Sequence, residues 1–126
     1  MAEEDMKYTE NHDWVRIEGR TVTVGVTDFA QKQLGDIVFV ELPDPGEEYS
    51  QGEEIVVIES VKSVSDVEAP IGGVVTEVNE SLEGEPEKIN ESPFESGWLV
   101  KLDMKDETEL ESLMDESEYE DLKEEA

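Results

Sequence analysis

Glu53-Glu54-Ile55-Val56-Val57-Ile58-Glu59-Ser60, then Val61-Lys62-Ser63, then Val64-Ser65-Asp66-Val67-Glu68-Ala69-Pro70: two arms rich in β-branched residues meet at a short stretch that holds the segment's only lysine. Branching at Cβ suits a pleated, half-buried strand better than a helix. Gly52 lies 10 residues before Lys62 and Gly73 lies 11 after it, so glycine punctuation brackets a segment whose midpoint is the lysine. This pattern predicts a β-hairpin with Lys62 at its tip. No Asn-Gly or Asp-Gly is present for a tight primed turn, so the expected connection is a loop of four or five residues on a type I turn.

Outward from this hairpin the chain continues in short alternating runs. Trp14-Val15-Arg16-Ile17 and Thr21-Val22-Thr23-Val24-Gly25-Val26 flank Glu18-Gly19-Arg20 as a second hairpin. Asp28 as N-cap, with Gln31 three positions on and Gly35 after Leu34, predicts a short helix with Phe29 and Leu34 facing inward. Asp36 to Leu42 reads as a strand ended by Pro43-Asp44-Pro45-Gly46, because proline cannot donate to a ladder. Val74 to Val78 is a further strand, Asn79 to Gly97 a long loop, and Trp98 to Leu102 the last strand. Thr108-x-x-Glu111 and Ser117-x-x-Glu120 have the form of capping boxes, predicting two short C-terminal helices over about 107–124. Residues 1–7 form an acidic leader and 8–126 one domain. The expected class is all-β, a flattened barrel or sandwich hybrid of short antiparallel strands.

Composition narrows the function. A chain of 126 residues can bury one modest core and has no room for a cleft between two large domains. With no cysteine it has neither disulfide nor thiolate of its own. Nine Lys and Arg against 36 Asp and Glu give a formal charge of −27, which opposes binding to nucleic acid or to an anionic membrane. No apolar run approaches the roughly 18 residues that span a bilayer, and the acidic start has no signal-peptide pattern, so a cytoplasmic protein is expected. Clear apolar periodicity argues against disorder despite the charge. Carboxylates coating a folded β domain suit a salt-rich, halophilic cytoplasm, where screening shortens the range of self-repulsion.

Few residues could carry chemistry. Lys62 sits among Ser60, Val61, Ser63, Val64 and Ser65, small or β-branched neighbours that leave it open to an acylating enzyme. His12 is the only histidine, and a lone histidine before a strand is more often a hydrogen-bonding residue than a base. Glu3-Glu4-Asp5, Glu47-Glu48 and Glu53-Glu54 read as solvated faces, and no metal ligand set is expected. Gly72-Gly73 reads as a turn, and Trp14 and Trp98 as core or cleft-edge aromatics.

Glu59-Ser60-Val61-Lys62-Ser63-Val64-Ser65-Asp66, followed by Ala69-Pro70 and Gly72-Gly73, resembles the lipoylation motif of the glycine cleavage H proteins. The resemblance extends in order through Tyr8-Thr9, Asn11 to Val15, Gly25 to Gln31, Leu34 to Pro43, Val78-Asn79, Ile89-Asn90 and Gly97 to Leu99. The lipoyl domains of 2-oxo acid dehydrogenases share only the middle, and a biotin site usually has methionine on both sides of its lysine. The resemblance implies a lipoyl-domain-like fold and a non-catalytic carrier with lipoate in amide linkage to Lys62. Glu59, Ser60, Val61, Ser63 and Asp66 form the motif context. It implies four partners: a pyridoxal-phosphate glycine decarboxylase, a tetrahydrofolate-dependent aminomethyltransferase, dihydrolipoamide dehydrogenase and a lipoate-attaching enzyme. A relay that passes lipoyl groups to 2-oxo acid dehydrogenases remains an alternative. It also suggests a cleft in which the loaded arm docks, for which Asp13, Trp14 and Asp66 are the candidate walls. The acidic leader Ala2 to Met6 and the carboxylated loop and tail depart from the family pattern.

Overall fold

The computed structural model describes residues 6–125. The acidic cluster Glu3-Glu4-Asp5 and the rest of the leader before Met6 lie outside the described residues. Among the described residues nine strands occur, β1 (Met6–Tyr8), β2 (Asp13–Glu18), β3 (Thr21–Val26), β4 (Ile37–Glu41), β5 (Glu48–Tyr49), β6 (Glu54–Ser60), β7 (Val64–Glu68), β8 (Gly73–Val78) and β9 (Val100–Met104). Helix α1 (Asp28–Leu34) follows β3, the single turns α2 (Ser81–Gly84) and α3 (Lys88–Glu91) precede β9, and a 3-10 turn (Glu107–Ser112) leads to α4 (Glu116–Glu125). The strands form a six-stranded sheet, ordered β1-β2-β3-β9-β8-β5, and a three-stranded sheet, β4-β6-β7. All pairings are antiparallel, as expected for the all-β sandwich.

Alternation along the strands places the core between the sheets. Val15, Val22, Val24 and Leu102 of the larger sheet are buried in one cluster with Val40, Val56 and Ile58 of the smaller one. Each such side chain contributes roughly 1.5–3 kcal/mol on removal from water. The odd positions of β2 serve this core. Its even position Trp14 is fully buried on the opposite face, with Tyr8 and Tyr119, under Phe94, Met114 and Leu122. Trp14 pairs with Gly25 across β2 and β3, and a Cβ there would lie 2.5 Å from the indole, so only glycine leaves the ring its place. The larger sheet is thus covered on its outer face by α4, whose approach is fixed by a backbone pair between Tyr8 and Met114 at 2.8 Å in both directions.

Several boundaries differ from the sequence reading. Met6 and Lys7 pair with Arg16 and Val15, so β1 includes two residues of the segment assigned to the leader. Thr27, not Asp28, caps α1, its hydroxyl accepting from the Ala30 amide at 3.2 Å. Phe29 is only half-buried. The expected loop Asn79 to Gly97 contains the two helical turns α2 and α3, which seat Leu82 and Ile89 in the core. The last strand starts at Val100 and not at Trp98. In the tail, Asp106 caps the 3-10 turn, while Asp115 and Glu118 exchange bonds of 3.0 and 2.9 Å as the capping box of α4. Both caps lie two residues before the Thr108 and Ser117 positions expected.

Candidate functional site

The central hairpin forms as expected, with the four residues 60–63 connecting its last cross-strand pair. Glu59 pairs with Val64, and only Val61, Lys62 and Ser63 lie outside the strands. The Ser60 hydroxyl closes the turn, accepting from the Lys62 and Ser63 amides at 3.1 Å each. Among the described residues only His12 has positive φ without being glycine, so the turn is not of the primed type. The Val61 amide donates to the Asp36 carbonyl at 3.0 Å, which ties the tip to the start of β4.

Lys62 is exposed, and its Nζ has no ion-pair partner among the described residues. Its aliphatic stem rests over Gly35, the C-cap of α1 at φ +82°, where an added Cβ would stand 3.0 Å from Lys62 Cε. The left-handed backbone and this contact both favour glycine. Asn90, on α3, holds that corner: its amide donates to Gln31 Oε1 and the Gly35 carbonyl at 2.9 Å each and accepts from the Ile37 amide at 2.9 Å. Sequence patterning alone did not single out this clamp, because its partners are more than 50 residues away.

An apolar collar flanks the lysine. A β-bulge between Ile37 and Phe39 turns Val38 and Phe39 outward, 53% and 47% exposed, and Val61 and Val64 are each 66% exposed. Exposed carboxylates of Asp36, Glu41 and Asp66 accompany them.

Beside the hairpin a cavity of about 290 Å³ opens between α1 and β7. Asp13 and Asp66 both line it, together with His12, Leu34 and Ile58. Leu34 of its wall is next in sequence to Gly35, over which the lysine stem rests; Gly35 and Lys62 do not themselves line the cavity. Trp14 does not line it: β-alternation turns the indole to the outer face, where Nε1 donates to the Pro93 carbonyl at 2.9 Å. Asp13 is 4% exposed, and burial raises its pKa to about 8 against a lowering hydrogen bond from Thr9. It is therefore protonated at neutral pH, which leaves the wall uncharged at that point. Asp66 is exposed at the rim. Among the described residues no three His, Cys, Asp or Glu side chains gather to hold a metal ion.

Comparison with known proteins adds to this geometry. The family model described as "Glycine cleavage H-protein" matches residues 6–126. A glycine cleavage system H protein of Halothermothrix orenii is 55% identical over 116 residues, covering 92% of this chain and 91% of that protein. One from Staphylococcus saprophyticus is 49% identical over 118 residues, with 94% of each covered. The crystal structure of a glycine cleavage system H protein from Mycobacterium marinum superposes with a TM-score of 0.83 at 38% identity, covering 92% of this chain and 94% of that one.

Proposed function

We propose that this chain, which belongs to the glycine cleavage H-protein family, carries lipoate in amide linkage on Lys62 and shelters the cationic cargo of that arm between α1 and β7. A glycine cleavage H protein is the lipoyl carrier of its system and not a catalyst itself. The attachment fits this site. Lys62 is free of ion pairs among the described residues, stands on a turn closed by its neighbour's hydroxyl, and can lose its charge without leaving a carboxylate unpaired. When bound, the arm supplies the dithiol couple that a cysteine-free chain lacks. By bond counting it reaches about 12–14 Å, enough both to enter a partner's cleft and to fold back.

The observation that carries the shelter is the position of the lysine stem over Gly35, one residue from Leu34 in the cavity wall that Asp13 and Asp66 share. A neutral Asp13 lets the cavity exist without a buried charge. An entering ammonium favours the ionised carboxylate, so Asp13 releases its proton to solvent as the cation arrives, and the buried charges form a pair. In a partly dry cavity such bonds are not weakened by competing water. The aminomethyl cargo is thereby kept from hydrolysis to formaldehyde, ammonia and the free thiol.

The partners in this reading are the glycine decarboxylase that loads the arm, the aminomethyltransferase that unloads it, dihydrolipoamide dehydrogenase that reoxidises it, and the enzyme that attaches lipoate. Each must cover the apolar collar of Val38, Phe39, Val61 and Val64 to reach Lys62. The charge of −27, met by few ion pairs among the described residues, supports a salt-rich cytoplasm as the working environment. No helix among the described residues is long and apolar enough to cross a membrane.

The shelter is tested by loading the lipoylated protein with glycine and the decarboxylase, removing the enzyme, and timing formaldehyde release. Asp66→Asn and Asp13→Asn are expected to release it faster than the unmutated chain. Equal rates in all three would refute the sheltering role.

A further inference from the structure

One side chain holds the corner beneath Lys62. Asn90 gives both protons of its amide nitrogen, to Gln31 Oε1 and to the Gly35 carbonyl, and its oxygen accepts from the Ile37 amide, each bond at 2.9 Å. Only the carboxamide oxygen can accept from an N–H, and only the NH2 can serve two oxygens, so the group has a single orientation here. Ile89, fully buried in the core beside it, anchors α3 so that Asn90 meets this corner. Aspartate has the same size but neither donor, and serine and threonine have one.

Along an extended chain the carbonyl of one residue and the amide two residues on point to the same side, while the polar groups of the residue between them point to the other. Asn90 takes the first two, the Gly35 carbonyl and the Ile37 amide, as a neighbouring strand would. The Asp36 carbonyl, between them, accepts from the Val61 amide at 3.0 Å. The segment is thus gripped by Asn90 on one edge and bears the hairpin tip on the other. Past the cross-strand pair of Glu59 with Val64 the two arms no longer pair, and Ser60 closes the turn. Val61 is bonded to the rest of the chain at Asp36, and the Lys62 stem lies on Gly35. Both contacts fall on the segment in the grip of Asn90.

We propose that Asn90 is a positioning residue for acylation of Lys62: from α3 it holds Gly35 and Asp36, and through them the hairpin tip, in the placement that the lipoate-attaching enzyme engages. The proposal rests on the attachment reading given above. In that step the neutral Nζ of Lys62 attacks the carboxyl carbon of a lipoyl group activated by ATP as its adenylate. The amide bond forms, AMP leaves with the bonding electrons, and the amine's proton passes to solvent. The carrier's own contribution is the fraction of molecules with the tip in place, and an enzyme that binds only those has its apparent affinity reduced by that fraction. Loss of Asn90 therefore acts on KM and not on kcat, because a bound tip is a placed tip.

Asn79 supplies a matched control. This buried carboxamide also makes three bonds, donating to the Ser96 and Trp98 carbonyls at 2.8 Å each and accepting from Ser81 Oγ at 2.7 Å. Its partners lie on α2 and in the loop before β9, not at the hairpin.

The full chain with Lys62 unmodified would be given to a lipoate–protein ligase with lipoate and ATP, below the melting temperature of every variant, and attachment followed by intact mass against carrier concentration. Asn90→Ala is expected to raise KM about tenfold, the net worth of about one such bond, with kcat unchanged, and to speed hydrogen exchange of the Val61 amide. Asn79→Ala, at a similar cost in Tm, is expected to change neither. Asn90→Asp, which fills the same space without the donors, should behave as Asn90→Ala and carries the test if alanine prevents folding. An unchanged KM in the Asn90 variants, a fall in kcat alone, or an equal rise of KM in Asn79→Ala overturns the positioning role and leaves attachment at Lys62 standing. A raised KM with unaltered Val61 exchange overturns the route through Asp36. A lipoyl group on another residue of the unmutated chain, or none, overturns the attachment reading and this proposal together.

Discussion

Asp13→Asn should make folding stability less dependent on pH. Asp13 is buried on β2, and its pKa is raised from 3.8 to about 8 in the folded chain. Between those values the folded protein holds a proton that the unfolded chain has released, so stability falls as pH rises through this window and levels off above about 8. Each pH unit in the window is worth at most about 1.36 kcal/mol. Work near the isoelectric point of about 4.1 invites precipitation, so the usable range starts near pH 5. From there to pH 8 the ceiling is about 4 kcal/mol. The cavity admits some water to an ionised carboxylate, so about 2 kcal/mol is expected. Urea denaturation followed by tryptophan fluorescence, at fixed molar salt, would give both curves. The stability of Asp13→Asn minus that of the unmutated chain should grow with pH and reach a plateau, while the other carboxylates cancel in the difference. A difference that is flat from about pH 5 to 9 would refute a protonated Asp13 and with it the neutral empty cavity.

Gly25→Ala should destabilise the chain by about 1–3 kcal/mol or prevent folding, because the new Cβ would lie 2.5 Å from the Trp14 indole, and thermal melting checks it. Asp115→Ala should cost about 1 kcal/mol through loss of the α4 capping box, lowering Tm by roughly 3–6 °C. Raising salt from dilute buffer to about 1 M should raise Tm, since screening relieves self-repulsion among carboxylates; an unchanged or falling Tm would contradict the salt-rich reading of the composition.

The sequence carried the local parts of this fold and missed those that depend on distant partners. Period-two alternation and glycine punctuation are properties of a few neighbouring residues, so the hairpins around Gly19 and Lys62 were legible. Their details were not. In the turn at Lys62 the Ser60 hydroxyl accepts from the Lys62 and Ser63 amides, beside the backbone bond from the Ser60 amide to the Ser63 carbonyl. The helical turns α2 and α3 are too short for a periodic signal and exist because Leu82 and Ile89 find the core. Caps were misplaced where two eligible residues stood close together, as at Thr27 and Asp28. Trp14 does not line the cavity that Asp13 lines, because adjacent strand residues face opposite sides. Asp13 and Asp66 meet in one cavity only through sheet packing, which spacing along the chain does not reveal. The partner of His12, read as a hydrogen-bonding residue, was not legible because Tyr119 lies on the last helix.

Attachment at Lys62 is tested most directly by intact mass and peptide mapping of the protein made in its own host, beside Lys62→Arg. A single lipoyl amide on the Glu59 to Asp66 peptide is expected in the unmutated chain. The Lys62→Arg protein should carry none, keep its melting temperature, because an exposed turn side chain adds little packing, and support no aminomethyl transfer. A lipoyl group on Lys32 or Lys88, or full carrier activity in Lys62→Arg, would contradict the assignment.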